Sequence, residues 1–273
     1  MLAKFSSAIA RAVVLGLLAT AGAPAPSAIA ERARPSPRVD VPFEPTPHAV
    51  VDAMLRLAKV GPDDVVIDLG SGDGRIPIAA ARAYGATAMG VDLDPGLIRQ
   101  ARETAERRGV AGKVSFVEGD LFGVDIGKAT VVTLFLSPEA NRRLRPRLLD
   151  LAPGTRIVSH EHDMGRWQPD RTAAGRSLGG HRLLAWVVPA KVDGAWRLRV
   201  GEREVDVRLR QSYQQLDGSA VIDGREHPIR NGRLAGAEVS LDLPLGSGSW
   251  HPLRGQVTPT GELRGDGWDA RRQ

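Results

Sequence analysis

The chain has 273 residues, of which 42% are hydrophobic and none is cysteine. A chain of this length can build a core without disulfides, so the lack of cysteine fits either an exported or a cytoplasmic protein. The net charge is +5, and it falls to +3 when Lys4 and Arg11 near the N-terminus are left out. This charge is weak and spread out, and we therefore expect no nucleic-acid partner.

Residues 1–30 have the pattern of a signal peptide. Lys4 and Arg11 are basic, residues 12–23 are apolar, and Ala28-Ile29-Ala30 has the small-x-small form of a cleavage site. The apolar run is shorter than the ~20 residues that span a bilayer. We expect an exported protein, periplasmic or secreted, with no integral span after leader removal; a membrane-anchored or cytoplasmic protein is the alternative.

Residues 31–45 are rich in proline and arginine and lack periodicity, which predicts a linker. Thr46 is a plausible N-cap with Pro47 at the first helical position. The residues predicted on the apolar face of this helix are Val50, Val51, Met54, Leu55 and Ala58.

The most informative stretch is a strand followed by a glycine-rich turn and a helix. Residues 65–69 are apolar up to Asp68, as in a parallel strand covered on both faces. Gly70, Gly72 and Gly74 then allow a tight turn in which a ligand can touch the backbone. Pro77 stands in the first turn of the helix that follows.

The spacing of the glycines distinguishes two classes of nucleotide-binding turn. Dinucleotide folds have G-x-G-x-x-G, whereas this chain has G-x-G-x-G with the acidic Asp68 two positions before it. A carboxylate there repels a pyrophosphate and attracts a cation. The run resembles motif I of the class I S-adenosylmethionine (SAM) methyltransferases. The resemblance implies SAM as cofactor, contacted by Thr46, Asp68, Gly70, Ser71 and Gly72; a plain glycine-rich turn is the alternative.

Two further carboxylates follow strands in this region. Residues 86–92 predict a second strand, and Asp92 at its tip is where a nucleoside ribose is bound. Asp94 is better explained as the N-cap of a helix that Pro95 opens. After a third strand at 114–117, the family resemblance gives Asp120 the adenine amino group; a surface-turn carboxylate is the alternative.

Strands and helices continue to alternate up to the fifth strand. The fourth strand is predicted at 129–136, a helix after Ser137-Pro138-Glu139, and the fifth strand at 156–159. This alternation predicts an α/β fold with a doubly wound, Rossmann-like methyltransferase sheet over residues 46–190. The predicted helix carries four arginines, for which we expect a solvated face beside the site, with a phosphate or RNA contact as the alternative: Arg142, Arg143, Arg145 and Arg147.

The run from His160 to Asp163 raises the question of a metal. His160 and His162 are two apart on an extended segment and would point to opposite faces, so we expect no metal site. A polar rim of the active site is the better interpretation. Glu139, His160 and Asp163 are the candidates for a catalytic base, and the sequence does not rank them.

Three segments make the resemblance to the SAM methyltransferases more specific. They are Phe43-Glu44-Pro45-Thr46-Pro47, the glycine turn from Asp68, and Trp167-Gln168-Pro169. Together they resemble the mitochondrial methyltransferases that modify lysines of the ATP synthase c subunit and the adenine nucleotide translocase. The resemblance implies methyl transfer to a protein lysine, in a substrate that is membrane-associated in those enzymes. A small-molecule methyltransferase and a non-enzymatic exported nucleoside-binding module are the alternatives.

The pattern changes from about residue 191. Residues 196–200, 205–209 and 239–243 alternate apolar and polar positions, which predicts antiparallel strands with one buried face. Residues 191–273 are therefore expected to form a small antiparallel β-meander domain, either open or partly closed into a barrel. The glycines predicted as its turns are Gly218, Gly224, Gly232, Gly236, Gly255, Gly261 and Gly265.

Overall fold

The computed structural model describes residues 44–245 and 249–273. The predicted signal peptide and nearly all of the predicted linker, including Phe43 of the resemblance, lie outside these residues. Within the described part of the chain, no helix has both the length and the apolar character needed to cross a membrane.

Seven strands form the first sheet, in the order β3-β2-β1-β4-β5-β7-β6. The first five are parallel, and β7 runs antiparallel to both β5 and β6. This confirms the predicted doubly wound sheet. The strands are β1 (Val65–Leu69), β2 (Thr87–Asp92), β3 (Val114–Glu118), β4 (Val131–Leu134), β5 (Arg156–His160), β6 (Arg171–Ala174) and β7 (Arg182–Val187).

Helices cover both faces of this sheet. Successive side chains of a strand point to opposite faces, so apolar strands need helices on both sides to bury them. On β1, Val66 belongs to the cluster formed with the first three helices, whereas Ile67 and Leu69 pack with Leu144 and Leu148 of the fourth. The helices are α1 (His48–Leu57), α2 (Arg75–Tyr84), α3 (Pro95–Arg107) and α4 (Pro138–Leu149).

The N-terminus of α1 lies one residue beyond its predicted position. Pro47 is the N-cap residue, and its carbonyl accepts from the backbone N–H groups of Val50 and Val51. The prediction of Thr46 as N-cap was wrong because its buried hydroxyl lies 3.4 Å from His160 Nδ1 instead. The predicted apolar face of α1 is buried, as expected.

A second, nine-stranded antiparallel sheet begins at Gly194. Its strands are β8 (Gly194–Val200), β9 (Arg203–Ser212), β10 (Gln215–Ile222), β11 (Arg225–Pro228), β12 (Arg230–Ala235), β13 (Glu238–Leu243), β14 (His251–Val257), β15 (Leu263–Gly265) and β16 (Trp268–Arg272). Both β11 and β12 pair with β10, as two pieces of one interrupted strand. Pairing of β16 with β8 and of β9 with β10 closes the sheet into a barrel, which resolves the choice between an open and a closed meander.

Apolar side chains fill this barrel. Trp196, Leu209, Leu241 and Trp268 are among those that converge in its centre, and they leave a cavity of about 10 Å³. A cavity of this size holds at most one water molecule. The part of the barrel interior formed by these described residues is therefore a packed core without space for a cofactor or substrate.

Several glycines predicted as barrel turns lie within strands. Gly218 is inside β10, where a Cβ would lie 1.9 Å from the carbonyl oxygen of Arg208. Gly232 is inside β12, where a Cβ would lie 2.2 Å from the carbonyl oxygen of Leu216. Gly255 and Gly265 also lie in strands. The turn prediction was wrong at these four positions, where glycine permits close approach of neighbouring backbones.

The barrel packs directly on the first sheet. Trp167, in the connection between β5 and β6, stacks on Tyr213 with ring centroids 6.1 Å apart and planes 10° from parallel. Gln214 Nε2 donates to the carbonyl of Gln168 at 2.8 Å. Arg233 pairs with Asp170 at 2.6 Å. The segment that contains the predicted Trp167-Gln168-Pro169 motif thus forms a large part of the contact with the barrel.

Candidate active site

A cleft of about 160 Å³ opens at the carboxyl ends of β1, β2 and β4. This edge is where ligands bind in doubly wound sheets. The residues that line it are Glu44, Thr46, Asp68, Gly70, Ser71, Asp73, Arg75, Ile76, Asp92, Asp94, Leu97, Phe135 and Leu136. The cleft therefore includes most of the residues predicted to bind a cofactor.

The glycine turn has the conformation that the spacing predicts. Gly70, Gly72 and Gly74 have φ values of +81°, +53° and +77°, a region that other residues rarely adopt. A Cβ on Gly70 would lie 2.7 Å from Leu136 Cδ2, and one on Gly74 would lie 2.6 Å from the Phe116 ring. Both glycines are thus required by backbone conformation and by close packing.

Asp68 lies at the base of the cleft and is 2% exposed. Burial, with smaller contributions from the nearby Asp92 and Asp73, raises the pKa of its carboxyl to about 7, against the lowering effect of the Thr133 hydrogen bond. In that bond, Thr133 Oγ1 donates to Asp68 Oδ1 at 2.7 Å. A cationic group bound in the cleft would favour the ionised carboxylate.

Asp92 holds the glycine turn in place. Its Oδ2 accepts from the backbone N–H of Gly72 at 2.8 Å, and its Oδ1 accepts from the N–H of Asp94 at 3.0 Å. Asp94 in turn accepts from the N–H groups of Gly96 and Leu97, which confirms it as the N-cap of α3. This carboxylate, which lines the cleft and is predicted to bind the ribose, therefore also stabilises the turn.

Asp120 lies outside the residues that line the cleft. Its side chain is exposed, and Oδ1 accepts from the N–H of Phe122 at 2.9 Å, the contact of a surface turn. The turn is still next to the site, because the preceding Gly119 donates its N–H to the carbonyl of Asp92 at 2.9 Å. The adenine-binding role of Asp120 stays a prediction.

Thr46 and Ser71 are buried polar residues of the cleft wall. The carbonyl of Thr46 accepts from Arg75 Nη1 at 2.7 Å. Among the described residues, the buried Ser71 Oγ has no hydrogen-bond partner. An unsatisfied buried hydroxyl is costly, and a bound polar ligand is one way to satisfy it.

The three candidate bases occupy different places. Glu139 is exposed and pairs with Arg142 at 2.9 Å, and the exposed Asp163 accepts from the N–H of Gly165 at 2.8 Å. Neither lines the cleft. His160 is buried behind the wall, with its ring centroid 4.0 Å from that of Phe135. The structure does not bring these three residues together, and a catalytic role for each stays a prediction.

His160 does have partners that the sequence did not indicate. Its Nε2 lies 3.0 Å from Nδ1 of His181, which precedes β7, and that Nδ1 lies 3.0 Å from Glu161 Oε1. Burial lowers the pKa of His160 to about 4, with a further contribution from the neighbouring His181. His162 is not part of this group.

The arginines of α4 have structural partners. Arg147 donates to the carbonyls of Leu121, Phe122 and Val124. Arg145 donates to the carbonyl of Met164 at 2.7 Å, and the Arg143 guanidinium lies 3.7 Å from the centroid of the Phe122 ring. Arg143, Arg145 and Arg147 thus contact an aromatic ring or backbone carbonyls of the protein. The interpretation as a solvated face did not include these contacts.

The cleft is acidic. Five carboxylates are among its lining residues, namely Glu44, Asp68, Asp73, Asp92 and Asp94, against one guanidinium, that of Arg75. Arg75 is paired with Asp73, to which its Nη2 donates at 2.6 Å. The sequence reasoning missed Glu44, Asp73 and Arg75. This lining, the buried Asp68 and the unsatisfied Ser71 fit a cationic nucleoside such as SAM and oppose a pyrophosphate.

Comparisons with known proteins agree with this geometry. A family model described as the ANTKMT methyltransferase domain matches residues 68–171. A protein-lysine N-methyltransferase of Saccharolobus islandicus (strain REY15A) is 50% identical over 131 residues, which are 47% of this chain and 81% of that protein. The lysine N-methyltransferase of the ATP synthase c subunit from Mus musculus is 34% identical over 188 residues, 63% of this chain and 74% of that protein.

A solved structure extends the comparison to the cofactor. It is an RNA methyltransferase from Salinibacter ruber in complex with S-adenosyl-L-homocysteine, with 52% identity and a TM-score of 0.53. The match covers 55% of this chain and 96% of that one. The bound product of that enzyme corresponds to SAM after loss of its methyl group.

The strand order, glycine turn and acidic cleft define a SAM-dependent methyltransferase of class I. More narrowly, the chain belongs to the family of the protein-lysine methyltransferases, as its match to most of the length of two such enzymes shows. Membership of this family confirms the resemblance that the three sequence segments indicated.

Proposed function

We propose that this protein transfers a methyl group from SAM to the side-chain amine of lysine in a protein substrate. The observation that supports the proposal most directly is the acidic cleft, whose five carboxylates attract both a sulfonium and a lysine ammonium. The two lysine methyltransferases in the comparison support the same substrate class.

When bound, SAM would supply a methyl group on a positively charged sulfur: the lone pair of a neutral amine would bond to the methyl carbon as the carbon–sulfur bond breaks, and S-adenosylhomocysteine would leave as a neutral thioether. The protein must therefore hold a lysine amine in line with that methyl group and in its uncharged form. Lysine has a pKa near ~10.4 in water, so the ammonium has to lose a proton. Phe135 and Leu136 line the cleft and would disfavour the charged form, and Glu44, which also lines it, is the carboxylate that we propose as the proton acceptor.

A labelling experiment tests the proposal. The purified protein is incubated with methyl-labelled SAM and a membrane or envelope extract, and acid hydrolysates of the labelled protein band are analysed for methyl-lysine. Gly72→Arg, which places a long side chain in the cofactor turn, is the inactive control. Methyl-lysine formed by the wild type and absent from Gly72→Arg is the expected result.

Other labelled products would contradict the proposal in defined ways. Label confined to low-mass solutes would indicate a small-molecule methyltransferase. Label released by ribonuclease would indicate an RNA substrate, a possibility that the Salinibacter ruber structure raises through its description as an RNA methyltransferase. No label from any fraction, together with tight SAM binding, would favour a non-enzymatic binding module.

We further propose that the protein is exported and that its substrate is associated with the cell envelope. Support comes from the basic and apolar pattern of residues 1–30 and from the name of the Mus musculus enzyme, which refers to the ATP synthase. Fractionation of the native host and N-terminal sequencing test this. A mature terminus at Glu31 in the envelope fraction is expected, and an intact Met1 in the cytosol would refute export and remove the need for SAM outside the cytoplasm.

A further inference from the structure

Three potential ligand atoms converge on residues that are not among those lining the cofactor cleft. They are His160 Nε2, His181 Nδ1 and Glu161 Oε1. The separations are 3.0 Å between the two nitrogens, 3.0 Å between His181 Nδ1 and Glu161 Oε1, and 3.6 Å between His160 Nε2 and Glu161 Oε1. We call these three residues the His-Glu-His cluster.

These distances are those of one face of a tetrahedral metal site. Zinc bonds of about 2.0–2.1 Å to nitrogen and oxygen in tetrahedral geometry place neighbouring ligand atoms about 3.3 Å apart. The three observed separations lie within a few tenths of an ångström of that value. One ion could therefore bind all three atoms with only small side-chain adjustments.

Hydrogen bonding alone does not account well for the cluster. The Nδ1 atom of a neutral imidazole has either one proton or one lone pair, and this atom of His181 faces both His160 and Glu161. If His181 Nδ1 has the lone pair, that lone pair faces the carboxylate of Glu161, which is unfavourable. If His181 Nδ1 has the proton, that single proton has to be shared between His160 Nε2 and Glu161 Oε1. A cation at the centre would interact favourably with the lone pairs of all three atoms.

The backbone directs the side chains to this point. Consecutive residues of an extended chain face opposite sides, but Glu161 has a φ of +66°, which turns its side chain back towards His160. His181 comes next to them because β7 pairs with β5, with Leu183 opposite His160. The expectation of no metal was based on His160 and His162. In the fold, the neighbours of His160 are Glu161 and His181 instead.

Outer contacts also orient the ligand atoms. Thr46 Oγ1 lies 3.4 Å from His160 Nδ1, the ring nitrogen that faces away from the cluster. Glu161 Oε1 accepts from the N–H of Arg182 at 3.1 Å. Such second partners of metal-binding histidines and carboxylates fix the ring orientation and the lone-pair direction.

We propose that the His-Glu-His cluster binds a divalent transition-metal ion of the zinc type. Two imidazoles and one carboxylate are a ligand set that suits Zn²⁺, with water in the fourth position. The side chains of Glu161 and His181 are 33% and 34% exposed, which gives the ion a path from solvent, while His160 is buried. The ion would stabilise the cleft wall through Thr46 and Phe135, without contact to the reacting atoms.

Zinc titration of the full-length, tag-free protein tests the proposal. After dialysis against a chelator, the protein is titrated with Zn²⁺ by calorimetry in competition with a chelator of known affinity. One ion per chain is expected for the wild type. His181→Ala should bind at least ~100-fold more weakly, because even outer-sphere partners are worth about 10- to 100-fold in metal affinity.

His162→Ala is the matched control, since it removes a neighbouring histidine that is not in the cluster. Its zinc affinity should equal that of the wild type. Circular dichroism without metal should show that both variants fold, and added Zn²⁺ should raise the melting temperature of the wild type and of His162→Ala only. Absence of wild-type binding at micromolar Zn²⁺, or equal loss in both variants, would overturn the proposal independently of any methyltransferase activity.

Discussion

The methyltransferase sheet and the barrel bury polar groups very differently. Among the described residues, eight of the nine buried polar or charged side chains lie before residue 191, and Gln214 is the exception. Gln214 itself contacts the first sheet, through Gln168. The barrel interior is otherwise apolar, with Trp196 and Trp268 at its centre.

This difference indicates that the barrel contributes mainly to stability, whereas the first sheet carries the cleft in which the reaction is proposed to occur. An unsatisfied buried polar group costs about 1–3 kcal/mol, so each such group calls for a structural or functional reason. Asp68 and Ser71 both belong to the cleft, and the hydroxyl of Ser71 has no partner among the described residues. The barrel, in contrast, contributes a packed core and a contact surface, and the residues of the proposed reaction all line the cleft at the edge of the first sheet.

The largest effect expected is on the barrel core. Trp196 is 1% exposed, and Trp196→Ala should lower the free energy of unfolding by about 3–5 kcal/mol. Because the cleft lies in the other sheet, the affinity of the folded fraction for SAM should not change. Urea denaturation followed by circular dichroism measures the first quantity, and calorimetry with SAM measures the second.

Trp250 provides the matched control for this prediction. It is partly exposed, with the Arg230 guanidinium 4.0 Å from its ring centroid, and Trp250→Ala should cost less than about 1.5 kcal/mol. A tenfold loss of SAM affinity in folded Trp196→Ala would mean that the barrel shapes the cleft, and the separation of stability from chemistry would fail.

The second prediction concerns the buried carboxylate of the cleft. Asp68→Asn keeps the shape of the side chain and an acceptor for Thr133, but it removes the negative charge at the base of the cleft. SAM affinity at pH 8 should fall roughly 100-fold, equivalent to about 2.7 kcal/mol, because a charged hydrogen bond to a cation is lost. Asp150→Asn, at an exposed site paired with Lys191, should bind like the wild type. Unchanged affinity in Asp68→Asn would remove Asp68 from the binding site.

The third prediction tests the same residue through stability. Burial raises the pKa of Asp68 from 3.8 to about 7, so the folded state favours the protonated carboxyl. The stability associated with this group is present below pH 3.8 and is lost as the pH rises through about 7. Without SAM, Asp68→Asn should therefore be more stable than the wild type at pH 8, by on the order of 2 kcal/mol.

Urea denaturation of both proteins at pH 5 and pH 8 checks this sign. The advantage of Asp68→Asn should be smaller at pH 5, where the carboxyl of the folded wild type is protonated. Titrating groups remote from Asp68 are common to both proteins and cancel in the difference, whereas Asp92 and Asp73 interact with the Asp68 charge itself. An equal difference at the two pH values would show that burial does not shift the pKa of Asp68 as described.

The sequence predicted well those features that depend on neighbours along the chain. The strand before Asp68, the three glycines and the cap by Asp94 lie within short segments whose residue types restrict the backbone directly. The five parallel strands then follow from the alternation of strands and helices, whereas the antiparallel β7 and its partner β6 were not predicted. For the same reason, the sequence alone was enough to place Asp68 and Asp92 at one cleft.

Features that depend on tertiary pairing were not predictable in this way. His181 meets His160 only because β7 returns antiparallel beside β5, and these strands are joined by a connection without a repeating pattern. Gly218 was assigned to a turn because glycine in an isolated pattern does not distinguish a turn from close packing of two strands. Asp120 follows its strand as expected, but the direction of its side chain depends on the turn that it caps.

The smallest effect is expected where the two regions meet. Arg233 of the barrel pairs with Asp170 of the sheet, and the arginine side chain is 44% exposed while that of Asp170 is 12% exposed. Partial exposure screens the pair, and Asp170 also accepts from the N–H of Val187, so Arg233→Ala leaves that carboxylate with a partner. We expect a loss of about 0.5–1 kcal/mol in the free energy of unfolding and no change in SAM affinity.

Lys191→Ala, which breaks the more exposed pair with Asp150, should cost less still. A loss well above 1 kcal/mol for Arg233→Ala, accompanied by weaker SAM binding, would show that the barrel and the cleft are coupled through this contact.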